Sequence, residues 1–148
     1  MKIGIAKIKE NDPLGVENKE TFLQFTVTKP IVIQPSEIMK VSINAVLKLE
    51  KDTVLFISTA PELSSKVCEL FPGLITLNNP LEDVVLDLPI RNAGRNQVNL
   101  FTGDVIAKGY LIPVESLETI EFKSEISNPD HPKTKPQKLN SEIKFEVK

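Results

Sequence analysis

Apolar and polar residues alternate along much of this chain with a period of two, the spacing of strands that bury one face. In 2–9, Ile3 and Ile5 fall on one side of a first strand, and the polar stretch 11–20 (NDPLGVENKE) has the residues of a turn. TFLQFTVTK (21–29) turns Leu23, Phe25 and Val27 inward and Gln24, Thr26 and Thr28 outward, until Pro30 interrupts it. A short Ile31–Val32–Ile33 run and a Pro35-Ser36 turn precede 37–51, where Val41, Ile43, Ala45, Leu47 and Leu49 share a face. Lys51-Asp52 forms a tight turn into TVLFIS (53–58), a nearly all-apolar run of the kind found in central strands. Further strands are predicted at 74–77, 83–90, 97–101, 104–115 and 118–126, separated by an Asn78-Asn79-Pro80 turn, a loop over Asn92, Gly94 and Asn96, and a Thr102-Gly103 turn.

One helix is predicted, over 61–70. Pro61 suits the first helical position and Glu62 the first turn. Leu63, Val67 and Leu70 follow at i, i+4 and i+7, and Pro72-Gly73 ends the segment.

The end of the chain departs from this pattern. Residues 127–140 carry three prolines, three lysines and His131 against one acid, and they read as an extended linker arm. SEIKFEVK (141–148) then alternates strictly, with Ile143, Phe145 and Val147 on one side. A strand at the end of a loose arm needs a sheet to join, in its own domain or in a neighbouring subunit. The expected organisation is a β domain over 1–126, the arm over 127–140 and a terminal strand over 141–148 that is open to exchange between subunits.

Composition agrees with an all-β class. Ile, Val and Thr make up about a quarter of the 148 residues, and 11 prolines spread along the chain leave little room for long helices. A net charge of -2 argues against a generally basic nucleic-acid binder, although a lysine-rich stretch at 133–138 keeps a local version of that reading open. No apolar run approaches the roughly 20 residues that span a bilayer, so no membrane association is expected. MKIGIAKIKE lacks a signal-peptide core, which points to an intracellular or packaged protein.

Chemistry is sparse. One cysteine and one histidine exclude a Cys/His zinc site from a single chain. Neither a phosphate-binding glycine loop nor a hydrolase nucleophile elbow occurs. His131 reads as solvated spacer and Cys68 as a packing residue with no histidine nearby in sequence to activate it. Glu82 and Asp83 flank a turn and Asp87 sits in an apolar strand. They are the only candidates for a carboxylate enzyme and otherwise read as solvated. Tyr110 is the only tyrosine and tryptophan is absent, a thin basis for stacking bases.

The segment 92–114, NAGRNQVNLFTGDVIAKGYLIPV, is the most specific signal: a loop glycine, a strand, the Thr102-Gly103-Asp104 turn, and an apolar strand ending at Pro113-Val114. It resembles the fourth conserved motif of the dUTPase (deoxyuridine triphosphatase) family. IQPSEIMKV (33–41) resembles that family's Pro-Gly turn with Ser36 in place of the glycine. Leu63-Ser64-Ser65-Lys66 and Pro72-Gly73-Leu74-Ile75 resemble parts of its second and third motifs, so that 20–115 follow the family in order. The resemblance implies a distorted β-barrel or jelly-roll-like sandwich and a homotrimer.

The reacting residues of that family do not carry over. Gln24 stands at the best match for the first motif's aspartate, and Ala60 and Pro61 where an arginine and a serine would grip phosphate. Thr76 and Asn79 replace the third motif's aspartate and tyrosine; Val105 and Lys108 replace the fourth motif's arginine and glutamine. The glycine-rich fifth motif has no counterpart, since no glycine follows Gly109. A threonine cannot deprotonate water at neutral pH, and losing an arginine fork removes both charge and geometry.

The resulting expectation has no catalytic, cofactor-binding or metal residue. It describes a trimeric structural or protein-interaction module of a virus or phage, located in a virion or in host cytoplasm, with another viral or host protein as partner. The alternative is a nucleotide-binding protein or residual hydrolase whose remodelled anion site uses Arg91, Arg95 and Lys108.

Overall fold

A computed structural model describes residues 1–78, 84–115 and 117–124. Asn79, Glu82, Asp83 and His131, the arm at 127–140 and the terminal segment at 141–148 lie outside the described residues. The chain divides into two compact units, Met1–Glu115 and Ser116–Lys148.

The first unit is a β-sandwich. Among the described residues, eleven strands run in order: β1 (Ile3–Lys7), β2 (Val16–Asn18), β3 (Leu23–Thr26), β4 (Ile31–Ile33), β5 (Ile38–Leu49), β6 (Thr53–Thr59), then β7 (Cys68–Leu70), β8 (Ile75–Asn78), β9 (Val84–Asn92), β10 (Val98–Leu100) and β11 (Val105–Pro113), with a single helix, α1 (Pro61–Ser64), between β6 and β7. They form a four-stranded sheet β1-β5-β9-β7, a five-stranded sheet β2-β3-β11-β6-β8 and a two-stranded sheet β10-β4. All the pairings are antiparallel. No sheet closes on itself among the described residues.

The alternation that predicts the strands also builds the core. Val41, Ile43, Ala45, Leu47 and Leu49 of β5 are buried, as are Leu86, Leu88 and Ile90 of β9, and they meet Leu23, Phe25, Leu55, Ile57 and Ile106 from the other sheet. Burying each of these larger side chains contributes about 2 kcal/mol. Between Ser42 and Val46, β5 carries two more residues than its partner β9. An even insertion leaves the phase of the pattern unchanged, so the buried face continues through the bulge. Asn44 sits in the bulge with φ of 57° and is buried. Its amide accepts from the Lys9 N–H (2.8 Å) and donates to the carbonyls of Lys9, Asp12 and Pro13, which fastens the 9–13 loop to β5.

Three expectations need correction. The stretch 11–20 is not all turn, because it contains β2, which pairs with β3 through Val16↔Phe25. The 61–70 helix stops after one turn at Ser64. Val67 then adopts φ of 60°, reversing the chain, and Cys68–Leu70 become β7 against β9. Cys68 and Leu70 are buried and Glu69 exposed, a period of two that the helical spacing of Leu63, Val67 and Leu70 obscures. The tight turn at Lys51-Asp52 forms between consecutive strands as expected, with Asp52 at φ 59°, and it carries the chain from β5 in the four-stranded sheet to β6 in the five-stranded one. In the second unit, 117–124 carry no strand where 118–126 was expected, since these residues enter none of the three sheets. Alternation favours extended backbone, but a strand exists only within a ladder.

The Pro35-Ser36 turn forms as read. Glu37 N–H bonds the Gln34 carbonyl at 3.0 Å, and Ser36 has φ of 66°, the conformation in which a glycine is unstrained.

Candidate functional site

The positions at which the family motifs would place their reacting groups are spread across β3, β11, the end of β6 and β8 of the five-stranded sheet. Ala60 is buried ahead of α1, its N–H bonded to the Ile106 carbonyl at 3.1 Å, and Pro61 opens the helix. Val105 begins β11 opposite Thr26. Thr76 lies on edge strand β8, exposed, opposite Phe56. Gln24 and Lys108 are direct cross-strand neighbours, and Ser58 flanks Lys108 on the other side. An amide, a threonine hydroxyl, an ammonium and apolar side chains include no carboxylate, the charged oxygen donor that a hard divalent cation requires, and so do not fit one. Among the described residues no three His, Cys, Asp or Glu side chains gather to hold a metal.

Asp104, retained from the motif, works on the turn itself. Its carboxylate accepts from Phe101 N–H at 2.8 Å and from Lys66 Nζ at 3.3 Å, while its backbone N–H bonds the Phe101 carbonyl. Gly103 takes φ of 92° and donates to the Val27 carbonyl. The turn therefore hands the chain from β10 in one sheet to β11 in another, and Lys66 ties it to the segment after α1.

The Phe101 hydrogen bond, helped by Lys66 and opposed by partial burial, holds the Asp104 carboxyl below its ordinary value of 3.8. A depressed folded-state pKa stabilises above the unfolded value and loses that contribution as pH falls through the folded value. Asp104→Asn is expected to cost about 1 kcal/mol at pH 7, with the gap between variant and wild type in urea denaturation closing as the pH falls below the ordinary carboxyl value of 3.8.

Cys68 is buried, and burial pushes its thiol up against a weaker opposing effect of Lys66. It is a neutral packing group in the core, as its position beside Leu63 and Leu70 in sequence suggests. Asp87 is exposed on the outward face of β9, opposite Ser42. Arg91 and Lys108 do not converge on one anion site. Arg91 stacks 6.0 Å from the Phe71 ring on the four-stranded sheet, whereas Lys108 sits 5.1 Å over Phe22 on the five-stranded sheet. Arg95 is exposed in the 93–97 loop.

Sequence reasoning passed over Asn92, which it placed in a loop. Asn92 ends β9 and is fully buried. Its amide donates to the carbonyls of Ile33 (2.9 Å) and Asn96 (2.8 Å) and accepts from Gly94 N–H (2.9 Å). The spacing Asn-x-Gly is the available signal, since an asparagine often bonds the backbone two residues on. An open cleft of about 540 Å³ lies between the start of β1 and the β2–β3 hairpin, bordered by Lys2, Ile3, Asn18, Phe22 and Leu23. It takes no residue from the positions matched to the family's reacting groups.

Comparison with solved structures finds this fold again. A dUTPase of Staphylococcus bacteriophage 80alpha superposes with a TM-score of 0.69 at 12% identity, over 85% of this chain and 99% of that one. The fold is that of the dUTPases. A mutant dUTPase from phage phi11 of S. aureus gives a TM-score of 0.70 at 12% identity, over 86% of this chain and 100% of that one. The dUTPase of Streptococcus mutans gives 0.65 at 16% identity, over 78% and 99%. No family model and no curated protein matches the sequence. At these identities the likeness to the dUTPases concerns architecture. Among the described residues, no helix of this dUTPase-fold chain is long and apolar enough to cross a membrane.

Proposed function

We propose that this chain is a dUTPase-fold scaffold that acts by binding another protein and carries no triphosphatase activity. The observation that carries the reading is the set of side chains at the motif positions: Gln24, Ala60, Pro61, Thr76, Val105 and Lys108. Hydrolysis between phosphates requires a group that activates water and several directed cationic donors. Six neutral or misplaced groups supply neither, while Gly103 and Asp104, which shape the turn, are kept. Each missing donor costs about 3 kcal/mol of transition-state stabilisation in comparable sites, so the losses are far too large for one lysine to offset.

Two further features of the reading rest on likeness. The family resembled is typically homotrimeric, which supports three copies here. The solved structures with this fold include phage enzymes described as controlling transfer of virulence genes by a G-protein-like mechanism. That description supports a phage or viral origin, a regulatory or structural partner protein, and a place in the virion or the host cytoplasm. Light scattering on the intact protein is expected to give three times the 16.5 kDa chain mass, and a mass of one chain at micromolar concentration contradicts the trimer.

A further inference from the structure

The outward face of the five-stranded sheet carries a row of apolar side chains. Its cross-strand pairs are Tyr110↔Phe56 and Ile112↔Val54, with Phe22 next to Tyr110 at 6.1 Å between ring centroids. Tyr110 and Ile112 are each 42% exposed. At one end of this apolar stripe stands Lys108, its Nζ 5.1 Å from the centre of the Phe22 ring, between Gln24 and Ser58. Lys108 is half-buried and makes no ion pair among the described residues. The nearest acid in the same cross-strand row, Glu17, is engaged with Lys19 at 3.2 Å.

A partly desolvated ammonium on an aromatic ring keeps part of its attraction for an anion unspent, because the ring face supplies a quadrupole and no formal charge. The backbone of β3, β11 and β6 is paired on both sides, so this face offers side chains only. One ammonium matches one carboxylate. A di- or triphosphate needs several cations or converging N–H groups, and no second cation sits at the strand positions of this face. The aromatic and aliphatic stripe beside Lys108 calls for apolar side chains next to that carboxylate.

We infer that this face is the docking surface for a partner protein segment that presents a single glutamate or aspartate flanked by apolar side chains, with Lys108 as its charge anchor and Tyr110, Phe56 and Phe22 as its apolar floor. The inference rests on the protein-binding reading above and assigns it a surface and a partner chemistry.

The test is an NMR titration of isotope-labelled protein with two probes, acetyl-Thr-Phe-Glu-Val-Thr-amide and the same peptide with glutamine for glutamate. The glutamate peptide is expected to shift signals of Gln24, Ser58, Lys108 and Tyr110 and to bind about fivefold more tightly than the glutamine peptide, the scale of one partly exposed ion pair. Lys108→Met should abolish that difference and leave the signals of buried Leu55 and Ile57 unchanged, which separates a lost contact from a lost fold. Equal affinity for both peptides, shifts away from this face, or no binding at millimolar peptide overturns the inference. A Tyr110→Lys variant that turns an oligomer into a monomer also overturns it, by assigning the face to contacts between copies. Turnover of dUTP, by contrast, removes the non-enzymatic reading and leaves the titration result standing.

Discussion

Gly15→Ala is expected to destabilise the protein by about 3 kcal/mol, the upper part of the range for forcing a group into a packed interior. Gly15 is buried where the chain enters β2, with its N–H bonded to the Ile43 carbonyl at 2.8 Å and its own carbonyl accepting from Thr26 N–H at 2.9 Å. A methyl group there lies 2.7 Å from the Thr26 carbonyl oxygen, 2.8 Å from Thr28 Cγ2 and 2.9 Å from Ile43 Cα. Two of these three atoms are backbone of β3 and β5, which belong to different sheets. Relief therefore requires the sheets to separate locally, and no rotamer change achieves it. Gly73→Ala is the control: it has a positive φ but no atom within 4 Å of the new methyl, so only the conformational penalty of about 1 kcal/mol applies. Urea midpoints of the two variants, with unchanged slopes, measure the difference.

Asn92→Ala is expected to cost about 3 kcal/mol. The substitution removes two donated bonds and one accepted bond from a side chain with no solvent access. It leaves the carbonyls of Ile33 and Asn96 and the Gly94 N–H without this partner, and an unsatisfied buried group costs about 1–3 kcal/mol. Asn92→Asp discriminates the cause. Aspartate keeps the acceptor toward Gly94 but donates nothing, and it brings a charge into the core. It should therefore be at least as damaging as alanine near neutral pH and recover partly in acid, where the carboxyl gains a proton. Equal stability of all three proteins in thermal melts contradicts the role assigned to this side chain.

Both residues show where a sequence stops being readable. The strands β3 and β5 are legible because a period of two is written into the chain itself, while β6, β9 and β11 are legible as β-branched and apolar runs bounded by turns. Gly15 and Asn92 acquire their importance from Thr26, Ile43 and Ile33, which are distant in sequence, and no local pattern marks such approaches. β2 was missed because Val16 is its one apolar residue. The helix was overextended because Leu63, Val67 and Leu70 satisfy a helical spacing, while Val67 in a left-handed conformation, unusual for a β-branched residue, actually turns the chain into β7. The turn at Lys51-Asp52 was legible as a turn, but its change of sheet was not, because the sheet membership of β5 and β6 is decided by pairing with β9 and β11.

The candidate site was legible in a different sense. Gly103-Asp104 and the strand after it point to the fold, and the structure places the same residues in a turn that switches sheets, held by Phe101 and Lys66. Arg91 and Lys108 are only 17 residues apart in sequence yet lie on different sheets, a separation that the sequence does not show. The apolar stripe of Phe22, Phe56, Tyr110 and Ile112 could not be assembled from the sequence, since it draws on three separate segments.

The most direct measurement is the release of pyrophosphate from dUTP by the purified intact protein, with magnesium present and enzyme concentration varied. The account predicts a rate that stays at the level of buffer at every protein concentration. Pyrophosphate release that rises in proportion to protein, and that falls when Thr76 or Lys108 is replaced by alanine, contradicts it.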